Sequence, residues 1–109
     1  MSEKLAQLQM IEQNLQQLLS QKQQFNGIMV EIDSALEELG KTEDAYKIVG
    51  NVMVKVSKPE LSKELGEKKE RTEIRIKSIE KQEDKLKEKA EALRAEVMED
   101  MNKKEQKKK

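Results

Sequence analysis

The side chains that most often carry catalysis and metal binding are missing from this chain. It has no histidine and no cysteine, so the commonest general base, the commonest nucleophilic pair and the usual zinc ligands are absent. Its carboxylates alternate with lysines along helical sequence, a setting that does not tune them for acid–base chemistry. The four glycines are scattered and form neither a P-loop nor a dinucleotide-binding motif. The sequence therefore predicts no enzyme, no metal site and no cofactor.

The chemistry that remains is apolar contact, and one group of candidate side chains lies near the two ends of the chain. These side chains fall outside the heptad positions expected to form the interface between the helices. They are Leu5, Met10, Leu19, Met98 and Met101. Methionine adapts its shape at little cost, which suits binding to many different apolar partners. The alternative is that these ends repack locally, or that a shift in helical register near Val97 places Met101 in the helix interface.

A second apolar group lies in residues 46–56, the one stretch that is typical of β-structure. Two runs of β-branched residues flank Gly50-Asn51, and glycine in the first position favours a type II′ hairpin turn. The register that follows pairs Val49 with Val52, Ile48 with Met53, Lys47 with Val54 and Tyr46 with Lys55. Both faces of such a hairpin are apolar, and a two-stranded hairpin with unpaired edges is marginal in water. The sequence therefore predicts that hairpins from several chains assemble.

Two long helices flank the hairpin. Residues 2–39 follow a heptad pattern, and a capping box at Ser57-Lys58-Pro59-Glu60 starts a second helix over residues 58–102. We call the interface positions of these patterns the seam. In the first helix the seam is Met1, Lys4, Leu8, Ile11, Leu15, Leu18, Lys22, Phe25, Met29, Ile32, Leu36 and Leu39. In the second helix it is Leu65, Lys69, Thr72, Ile76, Ile79, Glu83, Leu86, Ala90, Leu93 and Val97.

The predicted fold is mainly α, one domain over residues 1–109 in which a long antiparallel two-helix coiled coil is connected by one β-hairpin. Folding back about the hairpin pairs residues whose numbers sum to roughly 101. This register brings two polar seam residues, Lys22 and Glu83, within one layer of each other. They either pair across the seam and fix its register, or extend separately to solvent.

Composition excludes several classes of partner. Charged residues make up 40% of the chain, and 22 basic residues balance 22 acidic ones, which argues against nucleic acid as the main partner. The sequence has no apolar run of about 18 residues and no signal-peptide pattern, so we expect a soluble cytoplasmic protein without a membrane partner. The lysine-rich segment 103–109 is expected to be a flexible solubilising tail, or otherwise a patch for an acidic partner.

The order of motifs along the chain resembles the β-class subunit of archaeal prefoldin. The specific part is the hairpin segment, and the similarity extends over nearly the whole chain. It comprises Tyr46-Lys47-Ile48-Val49-Gly50, Val52-Met53-Val54-Lys55-Val56, and Ser57-Lys58-Pro59-Glu60-Leu61 at the start of the second helix. Ala35-Leu36-Glu37-Glu38-Leu39 and Ile79-Glu80-Lys81-Gln82-Glu83 support it. Members of the family often have Gly-Pro where this chain has Gly50-Asn51.

The resemblance implies an ATP-independent chaperone, a holdase, that passes unfolded clients to a group II chaperonin. The implied assembly is a hexamer of two α and four β subunits, whose hairpins form a β-barrel platform. The implied client-binding residues are Leu5, Leu8, Met10, Ile11, Leu15, Leu93, Val97, Met98 and Met101. The implied oligomer interface is Tyr46, Ile48, Val49, Val52, Met53, Val54 and Val56. Alternatives are a structural coiled-coil adaptor for one specific partner, and a membrane-surface or nucleic-acid binder that acts through the lysine tail.

Overall fold

Two long helices and one hairpin make up the chain. A computed structural model describes residues 2–107, with side chains for residues 3–103. The elements are α1 (Ser2–Lys41), β1 (Ala45–Val49), β2 (Val52–Val56) and α2 (Lys58–Lys107). The mainly α class with one connecting hairpin is confirmed. Neither described helix has a stretch apolar enough to cross a membrane.

Helix α1 ends two residues later than predicted. The heptad pattern ends at Leu39 and glycine is common just after the end of a helix, but α1 continues through Gly40 to Lys41. Gly40 does not adopt the left-handed conformation of a glycine cap, because Gly50 alone has a positive φ among the described residues. Lys41 forms an ion pair with Glu37 one turn earlier, and a cation in the last turn complements the helix dipole.

Helix α2 begins where the capping box predicts and ends later than predicted. The Glu60 backbone N–H donates to the Ser57 hydroxyl oxygen at 3.5 Å, and the Leu61 N–H donates to the Ser57 carbonyl at 3.0 Å. The helix continues to Lys107 rather than stopping at residue 102. Segment 103–107 consists of lysine, glutamate and glutamine, which all favour helix, so nothing in it ends a helix. The predicted flexible tail 103–109 is therefore helical as far as residue 107, and residues 108–109 lie outside the described residues.

The hairpin has the predicted register. Val49 pairs with Val52, and the ladder continues through Ile48–Met53 and Lys47–Val54 to Ala45–Val56. Gly50 has φ +61°, and Asn51 does not have a positive φ. A positive φ at the first loop position alone matches the predicted type II′ turn.

The helices pair within two compact units. In the hairpin unit (residues 23–77), the buried side chains include Ile32, Leu39, Ala45 and Thr72. The Lys69 ammonium donates to the Asp33 carboxylate across the helices at 2.8 Å. The Arg75 guanidinium stacks 5.7 Å from the Phe25 ring centre.

In the terminal unit, which contains both chain ends (residues 2–22 and 78–107 as described), buried residues again come from both helices. They are Ile11, Ile79, Glu83, Ala90 and Val97. In both units the predicted seam residues that have a described side chain are buried or half-buried. The heptad prediction is therefore confirmed, and half-buried Ile28, Leu61 and Asp100 add to it.

Candidate functional site: a groove in the terminal unit and an exposed hairpin

A groove between α1 and α2 opens on one side of the seam in the terminal unit. We call it the terminal groove, and its volume is about 470 Å³. Its apolar lining comes from Met10, Ile11, Leu86, Ala92 and Leu93. Its polar lining comes from Gln7, Asn14, Lys89 and Glu96. The groove can accept an apolar side chain and offer hydrogen bonds around it.

The predicted client-binding residues occupy three kinds of position. Met10, Ile11 and Leu93 line the terminal groove. Leu5, Met98 and Met101 are exposed, and Met98 keeps 61% of its surface accessible. Leu8 and Leu15 are half-buried in the seam, and Val97 is buried there. The seam residues Leu8, Leu15 and Val97 therefore pack between the helices, whereas Leu5, Met98 and Met101 contribute to the exposed apolar surface.

Near its C-terminal end, α2 contacts α1 through charged side chains rather than through Met101. Asp100 occupies the half-buried position and accepts a hydrogen bond from the Lys4 ammonium at 3.0 Å, with Glu96 3.6 Å from the same ammonium. The hydrogen bond with Lys4 holds the pKa of the Asp100 carboxyl below its ordinary value. The alternative in which Met101 enters the seam is therefore wrong, because Asp100 takes that place and Met101 stays exposed.

The pair Lys22–Glu83 lies in the seam of the same unit. The Lys22 ammonium donates to the Glu83 carboxylate at 2.8 Å, and the Glu83 side chain is only 8% exposed. The hydrogen bond to Glu83 is the main cause that raises the pKa of Lys22. Of the two arrangements that the sequence left open, the structure contains the paired one.

The second candidate surface is the hairpin. Six apolar side chains in it are exposed, from Val54 at 43% to Ile48 at 69%. The others are Tyr46, Val49, Val52 and Met53. Ala45 is buried, and Val56 and Lys47 are half-buried, with Lys47 paired to Glu64 of α2. The predicted interface residues other than Val56 therefore form an apolar surface on both faces that the chain itself does not cover.

Polar residues of the groove were not among the predicted site residues. Gln7, Asn14 and Gln21 recur every seven residues on α1, and Gln7 and Asn14 reach the terminal groove. The signal was present in the sequence as a heptad repeat of carboxamides, but it lies beside the apolar repeat that defines the seam. Among residues 3–103, whose side chains the structure describes, no cluster of acidic side chains is arranged to hold a metal ion.

Comparison with known proteins gives consistent matches over most of the chain. The family described as "Prefoldin subunit" matches residues 2–104. "Prefoldin subunit beta" of Archaeoglobus fulgidus is 47% identical over 87 residues, which is 77% of this chain and 75% of that protein. The protein with the same description from Methanospirillum hungatei is 44% identical and covers 83% of this chain and 78% of its own length. The crystal structure of the prefoldin beta subunit from Thermococcus strain KS-1 superposes with a TM-score of 0.84 at 36% identity, covering 90% of this chain and 89% of that one.

Proposed function

This chain belongs to the prefoldin family as a β-type chaperone subunit, and on that premise we propose that it acts as an ATP-independent holdase. In this proposal it captures unfolded polypeptides at the free ends of its helices and delivers them to a group II chaperonin in the cytoplasm. Members of this family assemble with other prefoldin subunits. For this chain we propose the hexamer of two α and four β subunits.

The observation that carries the proposal is that two separate parts of the chain, the hairpin and the terminal unit, each expose apolar side chains. The hairpin exposes six apolar side chains on two faces, and the hydrophobic effect favours covering them with other hairpins. The terminal unit exposes Leu5, Met10, Met98 and Met101. One surface therefore serves assembly in a shared β-barrel platform, and the other remains available for clients.

The terminal surface suits clients of varied sequence. Its exposed members are mostly methionines, whose unbranched and polarisable side chains fit irregular apolar partners. The proposed client-binding set is Leu5, Leu8, Met10, Ile11, Leu15, Leu93, Val97, Met98 and Met101. Contact with several subunits at once would raise the apparent affinity, because each further contact is intramolecular.

Light scattering of chemically unfolded proteins, diluted into buffer without nucleotide, tests this function. The chain assembled with an α-type prefoldin subunit should suppress aggregation of at least two unrelated clients. Charges at Leu5, Met10 and Met98 (Leu5→Glu, Met10→Glu, Met98→Glu) should abolish that suppression, because a desolvated carboxylate opposes apolar contact.

A matched control uses exposed apolar residues outside the proposed surface. Val30 and Ile74 in the hairpin unit are as exposed as Met10 and Met98, so Val30→Glu with Ile74→Glu should leave suppression intact. Equal aggregation with and without the assembly would refute the holdase proposal. Protection of one client but not of an unrelated one would favour the adaptor alternative.

A further inference from the structure

We propose that the terminal unit holds its client as an extended chain, through hydrogen bonds between a row of carboxamide side chains, which donate and accept, and the client backbone. The carboxamide row is Gln7, Asn14 and Gln21 on α1. This inference rests on the proposed holdase function and specifies the conformation of the client that the same surface accepts.

The row borders one continuous groove. Gln7 and Asn14 line the terminal groove. A second groove in the same unit is lined by Asn14, Gln17, Leu18, Gln21, Gln82 and Leu86. The two grooves share Asn14 and Leu86, so carboxamides line both from Gln7 to Gln21. The apolar lining is concentrated in the terminal groove, and the second groove adds Leu18 to the shared Leu86.

The electrostatic character of this border fits peptide groups. Charged residues are 40% of the chain, yet the second groove contains none and has four carboxamides. A carboxamide is neutral and offers both donors and an acceptor, as a peptide group does. It therefore complements the backbone of any client on the α1 side of the grooves, whereas the charged residues of the terminal groove, Lys89 and Glu96, both belong to α2.

The carboxamides are available for this role. Within the part of the chain that the structure describes, the side chains of Gln7, Asn14 and Gln21 make no hydrogen bond to another protein group. All three are exposed. Their hydrogen-bonding groups therefore face water, which a client backbone can replace.

The dimensions favour an extended client over a helical one. Residues 7 to 21 span about 21 Å along α1 at 1.5 Å per residue, which corresponds to about six residues of extended chain at 3.3 Å each. In an extended chain alternate side chains point to the same face, so one set can contact the apolar lining of the terminal groove while peptide groups meet the row. A helical client satisfies its own peptide groups and could not use the row.

The test compares a peptide with an analogue that lacks backbone donors. The probe is a fluorescein-labelled peptide of alternating leucine and serine, and the analogue replaces its amide bonds by esters. Fluorescence anisotropy measures binding of both to the assembled protein. The row variant is Gln7→Ala with Asn14→Ala and Gln21→Ala.

The control variant removes three carboxamides elsewhere on the same helix. Gln9, Gln13 and Gln16 border a separate surface with Glu12, and all three become alanine in the control. Alanine is the best helix former, so both variants should keep α1 helical, which circular dichroism checks.

The expected result is an amide-peptide affinity about ten-fold weaker for the row variant and unchanged for the control, since hydrogen bonds add modest free energies each. The ester analogue should bind the unmodified protein about as weakly as the row variant binds the amide peptide. Equal affinity of the row and control variants, or of the amide and ester probes, would overturn the inference.

The two proposals can fail separately. If Met10→Glu abolishes peptide binding and the row variant does not weaken it, the holdase proposal stands and the extended-backbone inference is wrong. If the unmodified assembly binds no peptide and suppresses no aggregation, both proposals are wrong.

Discussion

At the scale of single residues, the pair of Lys22 and Glu83 shows how polar residues in the seam can fix the alignment of the two helices. The two charged groups are 2.8 Å apart, and Glu83 is buried. Buried pairs contribute little net stability, but removing one partner leaves an uncompensated charge. We therefore expect this pair to fix the register of the two helices, as polar seam residues do in other coiled coils.

Breaking the pair on one side should destabilise the protein more than replacing both partners. Lys22→Met leaves the Glu83 carboxylate buried without its cation, whereas Lys22→Met with Glu83→Leu restores an apolar layer. Thermal unfolding followed by circular dichroism should give the lowest Tm for the single variant. A double variant with the same or a lower Tm would show that the pair is not coupled.

The same pair predicts a difference at alkaline pH. Its hydrogen bond raises the pKa of Lys22 above the ordinary 10.5, so the folded state gains stability that is complete below pH 10.5 and is lost as pH rises through the raised value. The pKa values of Lys4 and Lys69 are also raised by their carboxylate partners. The unmodified protein and the double variant therefore both lose some stability above pH 10.5. The unmodified protein should lose more Tm above pH 10.5 than the double variant, and parallel profiles would contradict this.

Gly50 is the position where the hairpin depends on glycine. Its φ of +61° is unfavourable for a residue with a Cβ, although the space around it is open. Gly50→Ala should lower the free energy of unfolding by about 1 kcal/mol through backbone strain alone. Gly27→Ala, at an exposed helical site with open space, should raise it by about 1 kcal/mol. Urea denaturation measures both, and a neutral Gly50→Ala would refute the turn assignment.

At the scale of elements, the hairpin should determine assembly while the helices determine the fold of the chain. Ile48→Glu with Val54→Glu places one carboxylate on each face of the hairpin. The expected result is dissociation of the oligomer with helix content largely retained, since the hairpin supplies few of the helical contacts. Sedimentation velocity and circular dichroism provide the two readouts.

The control for this experiment is Val30→Glu with Ile74→Glu, which adds the same charge to exposed apolar sites on the helices. It should leave the oligomer intact. Survival of the oligomer in the Ile48→Glu and Val54→Glu variant would contradict a hairpin-based platform.

The elements themselves could be predicted because their signals are local and repeated. The Gly50-Asn51 loop set the strand register, and the heptads identified the buried face of both helices, including Glu83. The helix ends were less well predicted. Gly40 can be helical or can end a helix, and the choice depends on neighbours such as the Lys41–Glu37 pair. Segment 103–107 contains no residue that ends a helix, so its high charge alone does not predict where α2 stops.

At the scale of the whole molecule, a highly charged chain presents apolar surface at its hairpin and at its paired helix ends. Which residues of those ends are exposed could be predicted only in part. A heptad pattern places Val97 and Ile11 in the seam, but it does not reveal that a groove beside Ile11 opens to solvent and brings Met10 together with Leu93. That geometry depends on the spacing of the two helices and on side-chain packing. The carboxamide repeat alone does not predict a binding role, because its role depends on the grooves that these residues border.

Photocrosslinking tests the central claim, that the terminal groove holds unfolded clients, most directly. A benzophenone amino acid replaces Met10 in one assembly and, as the matched control, Val30 in another, and each is irradiated with a chemically unfolded client in the absence of nucleotide. We predict that the client crosslinks to position 10, and does so far more than to position 30. Equal crosslinking at both positions, or none at position 10 while aggregation is still suppressed, would contradict the account.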